Sequence, residues 1–171
     1  MSLDRPPFPL PVFNFEVNFY QVKDDGLPGT NVTPICSGRF SEVSGIEATM
    51  EPKTIREGGR NFGEIQRAGL VKFSTVILKR GLTRAPDLWT WFDLVGRGGS
   101  GIRMNAKLVQ RDTDGKTAVM TWTMANALPV KFKAASYVSA NSEVGVEELH
   151  FVHEDLSLEP GGTARQNGGA A

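Results

Sequence analysis

Cysteine is almost missing from this chain: its 171 residues hold one, Cys36. One thiol excludes an internal disulfide. Cys36 lies in PICSGRF, near a strand start, where a free cysteine normally serves as a small apolar residue; no histidine lies near it in sequence to act as a base. Histidine is scarce too, with only His150 and His153. No apolar run approaches the about 20 residues that a membrane helix needs. An excess of either charge is also missing, because 19 basic and 19 acidic residues cancel. The free chain therefore lacks the electrostatic footprint of a nucleic-acid or anionic-membrane binder. Zero net charge leaves little repulsion between copies, which suits self-association.

Catalytic signatures are absent as well. There is no G-x-S-x-G, no Walker A and no HExxH. GRGGSG at 96–101 matches G-x-G-x-x-G in letters only. In a dinucleotide site the glycines follow a strand and open a helix; here they follow a helix and precede a strand, so a connection is expected. His150 and His153 sit at an odd offset, which on a strand sends them to opposite faces. Glu147, His153 and Asp155 share a parity, the one hint of a metal or proton-transfer cluster, but no second histidine completes a zinc site. Glu147 and Glu148 are adjacent and diverge, unlike the facing carboxylates of a glycosidase. Trp89, Trp91 and Trp122 could form a sugar platform, but Trp91 and Trp122 fall on apolar faces and are expected in the core. No catalytic residue, cofactor or metal site is expected.

What the chain does contain is strand alternation. At 12–22, Phe13, Phe15, Val17 and Phe19 point one way and Asn14, Glu16 and Asn18 the other, a half-buried strand. Residues 23–34 read as a turn-rich loop. Ile102, Met104, Ala106 and Leu108 form one side of a strand over 102–109. Asp114-Gly115 marks a hairpin, and Ala118, Met120, Trp122 and Met124 line the returning strand. Leu128, Val130 and Phe132 read as a separate short strand. The last strand, within 142–158, has two mixed faces: Val144, Val146 and Val152 on one, Leu149 and Phe151 on the other. One helix stands out. Pro86 and Asp87 suit its first turn, Leu88, Trp91, Phe92 and Val95 form its apolar stripe, and Gly96 suits its end. These residues imply antiparallel β structure, a barrel or sandwich, with one flanking α-helix.

Three segments follow from composition: a Pro-rich arm over 1–11, a β domain over 12–158 and a Gly-rich tail over 159–171. Neither end carries a periodic apolar face, so both read as dispensable for the fold. The start, with Asp4 and four prolines, does not resemble a secretory signal, so synthesis in the cytoplasm is expected.

The chain is organised around 40–81. A strand over 38–43 turns at Ser44-Gly45. A second strand carries Ile46, Ala48 and Met50 on one face and Glu47, Thr49 and Glu51 on the other. A polar, Gly-rich loop over 57–69 follows, and the chain returns over 70–80. Loops of such length in a compact domain usually carry function. Arg56, Glu57, Arg60, Glu64 and Arg67 alternate in sign along it. Phe62 and Ile65 are unwelcome in a free loop and point to burial by another molecule.

The run FSEVSGIEA, then IREGG, AGLVKFSTVILKRGLT and DLWTWF, resembles the tail-tube proteins of contractile phages and phage-tail-like injection systems. The likeness continues through NALPVKF (126–132) and through Asn141, Glu143, Val144, Glu147, Leu149, His153 and Glu154, covering about 13–158. It implies a β-barrel whose subunits form hexameric rings stacked into a hollow tube, with the 56–67 segment reaching the next ring. It implies partners as well: further copies of the chain, a sheath around the tube, baseplate or hub and cap proteins at its ends, and cargo in the lumen. No membrane anchor and no cofactor are implied. The expected site of assembly is the bacterial cytoplasm, within a phage tail or a phage-tail-like particle that is released. The residues by themselves leave open a small monomeric barrel that binds a ligand or acts as an enzyme.

Overall fold

A computed structural model describes residues 10–22, 28–32, 39–56, 58–59, 62–98, 102–140 and 143–161. Along them run β1 (Phe15–Val22), β2 (Pro28–Val32), β3 (Glu42–Ser44), β4 (Ala48–Met50), β5 (Lys53–Ile55), β6 (Ile65–Arg67), β7 (Val71–Phe73) and β8 (Val76–Gly81). Helix α1 (Asp87–Gly96) follows, then β9 (Met104–Arg111), β10 (Ala118–Lys133), β11 (Val146–Val152) and β12 (Asp155–Pro160). The main sheet is ordered β2-β1-β9-β10-β11-β8-β3, with β12 also on β10. Its pairings are antiparallel. The fold is mainly β with one helix, as the alternation implies.

The sheet is not flat. Phe19 on β1 and Phe151 on β11 meet edge to face with ring centroids 6.0 Å apart. Two strands, β9 and β10, lie between theirs, which would hold them about 14 Å apart in a flat sheet. The sheet therefore curls around a core of Val17, Phe19, Val76, Leu78, Met104, Ala106, Met124, Leu149 and Phe151.

The curl is sharpest at Asn126, which has a positive φ of 54°. Met124 pairs with Ala106 but Ala127 with Met104, so β10 holds one residue more than β9 there. Such a bulge bends the strand and exchanges its faces. Trp122 and Met124 face inward before it, Ala127 and Pro129 are buried after it. The separate strand expected over 128–132 is thus the second half of a 16-residue strand. After the bulge Val130 falls on the outward side with Leu128 and is exposed, and a second irregularity between Pro129 and Lys131 returns Phe132 to the core side. β11 and β12 run in succession beside the two halves of β10 and break at the same level. The amide of Asn126 donates to Asn105 Oδ1 (3.0 Å) and its side chain to Glu154 Oε2 (2.9 Å). Arg103 donates to Glu154 Oε1 at 2.5 Å and closes this polar joint.

Two boundaries differ from the composition-based reading. β2 lies inside the supposed loop 23–34, paired to β1 at the sheet edge; Pro28 is tolerated there because an edge strand does not need every N–H. β12 extends to Pro160 and the amide of Gly161 donates to Val119 O, so 159–161 belong to the sheet rather than to a tail. Most of the Pro-rich arm (1–9), Cys36, Asn141 and residues 162–171 lie outside the described residues.

Leu88 and Trp91 of α1 are fully buried, and Phe92 and Val95 pack on the core. Trp91 meets Phe19 edge to face at 5.3 Å. Gly96 is the last helical residue; Arg97 is the C-cap and Gly98 takes the left-handed φ of 109° that ends helices. Trp91→Ala is expected to cost about 3–5 kcal/mol in urea unfolding. Half-buried Phe92→Ala should cost less, about 1.5–3 kcal/mol. A Trp91→Ala effect within about 0.5 kcal/mol would mean that the helix does not hold the core together.

A buried ion triad fastens α1 to the sheet. Arg80 on β8 is 6% exposed. Its Nε donates to Glu147 Oε1 on β11 at 2.6 Å, its Nη1 to Asp87 Oδ2 at 3.0 Å and its Nη2 to Ala85 O at 3.2 Å. Burial would lower the Arg80 pKa, but the hydrogen bonds it donates to Asp87 and Glu147 outweigh it and hold the pKa above the ordinary value. Arg80 was not among the expected site residues. The available signal was its inward parity with Val76 and Leu78.

Candidate assembly surfaces

Between β3 and β8 the chain leaves the curled sheet as an antiparallel ribbon. β4 pairs with β7 (Ala48↔Phe73, Thr49↔Lys72, Met50↔Val71), and β5 with β6 (Lys53↔Arg67, Thr54↔Gln66, Ile55↔Ile65). Neither ladder joins the main sheet. The expected polar loop over 57–69 is therefore shorter, because residues 65–67 are strand. The pairing was hidden because three-residue ladders interrupted by Pro52 and Gly69 show no sustained alternation.

Two glycines shape the ribbon. Gly45 at its root has φ 83°, and a Cβ there would sit 2.1 Å from Thr75 O. Gly69, between the ladders, would place a Cβ 1.8 Å from Glu51 O. The backbones pass too closely at both points for any side chain.

The sequence-selected residues now have places. Arg56 and Glu64 pair across the ribbon at 2.8 Å, close to the tip. Both are exposed, so the pair contributes little by itself. Ile65 is half-buried opposite Ile55, so its own ribbon shields it in part. Phe62 is 93% exposed at the tip. Arg67 is exposed and paired in register with Lys53. Glu57 and Arg60 lie outside the described residues. Below the tip, Met50, Leu70 and Val71 are exposed apolar residues, Leu70 by 79%. Leu88, Trp91, Phe92 and Val95 belong to the core and play no part in this surface.

The root of the ribbon rests on His153. Its ring lies 5.1 Å from the Phe73 ring and 6.4 Å from the Phe151 ring. Nδ1 lies 3.0 Å from Asp155 O. A carbonyl only accepts, so Nδ1 carries the proton and buried Nε2 is left without a hydrogen-bond partner. The cluster at which the shared parity of Glu147, His153 and Asp155 hinted does not form. Glu147 is taken by Arg80, and the break between β11 and β12 turns the Asp155 side chain outward. Among the described residues no group of histidine, cysteine and carboxylate side chains could hold a metal. In GRGGSG, residues 96–98 finish the helix and 99–101 lie outside the described residues.

Burial lowers the His153 pKa, with Asp155 opposing in part. The unfolded chain then binds the proton first as pH falls through about 6.5. Stability from this group is present above about 6.5 and is lost as pH falls toward the depressed folded pKa. The melting temperature should decline over that window, and His153→Gln should flatten the decline. An unchanged pH profile in His153→Gln would remove His153 as its source.

Open strand edges complete the surface. Among the described residues, β2 pairs only with β1, β12 only with β10 and β3 only with β8. Unpaired edges are templates for a further strand. A second apolar patch, Tyr137, Val138 and Val144, lies exposed on the chain between β10 and β11. No helix among the described residues is long and apolar enough to cross a membrane.

Among the described residues, a ribbon outside the main sheet and open strand edges offer surfaces for further chains to join. Residues 11–157 match the family described as T4-like virus tail tube protein gp19, and the chain belongs to that family. It is a structural tube subunit rather than an enzyme. It is similar to a chain of the anti-feeding prophage (AFP) baseplate solved by cryo-EM with 6-fold symmetry, at 25% identity and TM-score 0.71, over 92% of this chain and 98% of that one. A chain of the PVC extracellular contractile injection system, solved as the extended sheath–tube complex, has 18% identity and TM-score 0.71 over 90% and 93%. A chain of the AFP tube-terminating cap has 14% identity and TM-score 0.72 over 94% and 99%. These two establish likeness of fold. No curated protein matches the sequence.

Proposed function

We propose that this chain forms six-membered rings that stack into the inner tube of a contractile injection machine. The observation that carries the reading is the ribbon over 48–73, which leaves the sheet with Met50, Phe62, Leu70 and Val71 uncovered. A two-stranded ribbon is marginal in water without something to pack on, and a neighbouring ring supplies that surface. The edges at β2, β12 and β3 serve as seams between subunits in a ring. Family membership supports this arrangement, as does the likeness to a chain within a 6-fold symmetrised baseplate. The sheath surrounds such a tube, baseplate or hub and cap proteins close its ends, and cargo passes through its lumen when the sheath contracts. Subunits are made and assembled in the bacterial cytoplasm.

Size-exclusion chromatography with light scattering, followed by negative-stain electron microscopy, tests the reading. Species far above 18.6 kDa, seen as rings or tubes, are expected at high concentration. A strict monomer at every concentration, with or without baseplate and cap proteins, would reject it.

A further inference from the structure

β8 and β11 pair from Val76↔Phe151 at one end to Gly81↔Val146 at the other, about 17 Å along the strands. The ribbon joins this pair at the first end. Phe73 and Ser74 lead into Val76, and Phe73 rests on His153, just past the end of β11. The patch of Tyr137, Val138 and Val144 lies at the second end, on the chain that runs from β10 into Val146. Tyr137 is 80% exposed and Val144 75%. The patch is held in place. The Leu82 amide donates to Gly145 O at 2.7 Å, and a Cβ on Gly145 would sit 2.8 Å from the Cβ of buried Ala135. One subunit thus carries exposed apolar side chains at both ends of the same two strands: Met50, Leu70 and Val71 on the ribbon, and the patch opposite.

The charges of the two surfaces are complementary. Residues 48–73 hold five basic and three acidic side chains. Lys53 faces Arg67 in register, and among the described residues neither has a carboxylate partner. Like charges directly opposite each other repel, and a carboxylate from outside relieves them. Residues 134–146 hold one acidic residue, Glu143, and no basic one. Glu143 lines a cavity of about 300 Å³ beside Val138 and Val144. Lys133 and Glu148 in the same wall pair with each other at 3.1 Å, while Glu143 has no ion pair among the described residues.

We propose that the ribbon of one copy packs Met50, Leu70 and Val71 on Tyr137, Val138 and Val144 of a copy in the next ring, with Lys53 and Arg67 beside Glu143. The inference rests on the stacked-ring reading and adds the receiving surface and its polarity: β8 and β11 run along the tube axis, and each junction joins ribbon to patch. Complementary surfaces at opposite ends of a subunit join head to tail without closing, which is how an open filament grows. A second copy is the fitting occupant because every chain carries both surfaces; any other partner would cover one and leave the other bare.

In a Cys36→Ser background, Leu70→Cys is combined in one chain with Val144→Cys or, as a control, with Ser157→Cys; Ser157 is exposed on β12. Assembled protein is treated with a short bismaleimide, resolved by denaturing electrophoresis with peptide mapping, and viewed by electron microscopy. The expected product is a ladder of chains longer than one ring, linked from Leu70→Cys to Val144→Cys and at least about tenfold more abundant than in the control. Tubes without that ladder, or links from Leu70→Cys to Leu70→Cys, overturn the inference and leave the stacked-ring reading standing. No tubes from the unsubstituted protein would fail that reading, and this inference with it. Should the cysteine variants not assemble, Glu143→Lys decides, an exposed change that leaves the fold intact. The protein concentration needed for tube growth should rise at least about tenfold, and Lys53→Glu with Arg67→Glu in the same chain should reverse the rise. An unchanged concentration, or no reversal, overturns the proposal.

Discussion

Arg80→Ala is expected to destabilise the subunit by about 3–5 kcal/mol. The guanidinium faces two carboxylates, Glu147 on β11 and Asp87 at the start of α1. Glu147 is itself 5% exposed. Removing the arginine leaves that carboxylate buried without a counter-charge, so it must bind a proton or draw in water. The loss falls where the helix meets the sheet, and α1 should detach with it. Arg80→Lys tests the geometry: an ammonium cannot reproduce the fork that reaches Nε and both Nη atoms at once, so most of the loss should remain. Arg80→Met combined with Glu147→Leu should recover much of it, because matched apolar residues avoid the desolvation of both charges. Urea unfolding of the non-assembled chain measures all three. An Arg80→Ala value within about 0.5 kcal/mol would show that water reaches the triad and screens it.

Cutting the ribbon back is expected to abolish tube growth while leaving the subunit folded. Met50 and Val71 face each other across the first ladder. Residues 51–70 can therefore be replaced by Asn-Gly, the two-residue connection that best matches the twist of paired strands. The root, with Gly45 against Thr75 and Phe73 on His153, stays intact. None of the removed residues belongs to the core, so the melting temperature should hardly move. Electron microscopy should then find rings without tubes, because the uncovered Phe62 and Leu70 and the paired charges at the tip are gone. Tubes of normal length from this variant would place the contact between rings elsewhere, with the exposed patch at Tyr137, Val138 and Val144 the next surface to examine. Loss of folding instead would mean that the ribbon supports its own subunit.

The ribbon shows how far a sequence carries such a reading. Polarity, glycine content and two stranded apolar residues mark 56–69 as a segment needing a partner, and the structure places most of it in a ribbon without a core. The pairing itself was not legible. Ladders of three residues are too short for a period of two to register, and nothing in the sequence marks Ile55 as the partner of Ile65. The triad was half legible: Arg80 stands at an inward position, but its partners are 67 residues downstream on β11 and seven residues downstream at the start of α1.

Local chemistry thus determined a good deal by itself. Alternation along 15–22 and 104–111, the apolar stripe of α1 and the hairpin at Asp114-Gly115 are properties of neighbouring residues, and they define a mainly β protein with one helix. Tertiary structure decided the rest. One extra residue at Asn126 exchanges the faces of β10, burying Ala127 and Pro129 and exposing Val130. A pairing with β1 makes a strand of Pro28–Val32, where turn residues predominate. The break at His153–Glu154 separates Asp155 from the face of Glu147. Alternation shows that a strand has two faces; only its partners decide where the phase slips, which face is inside, and which apolar side chains remain for another chain to cover.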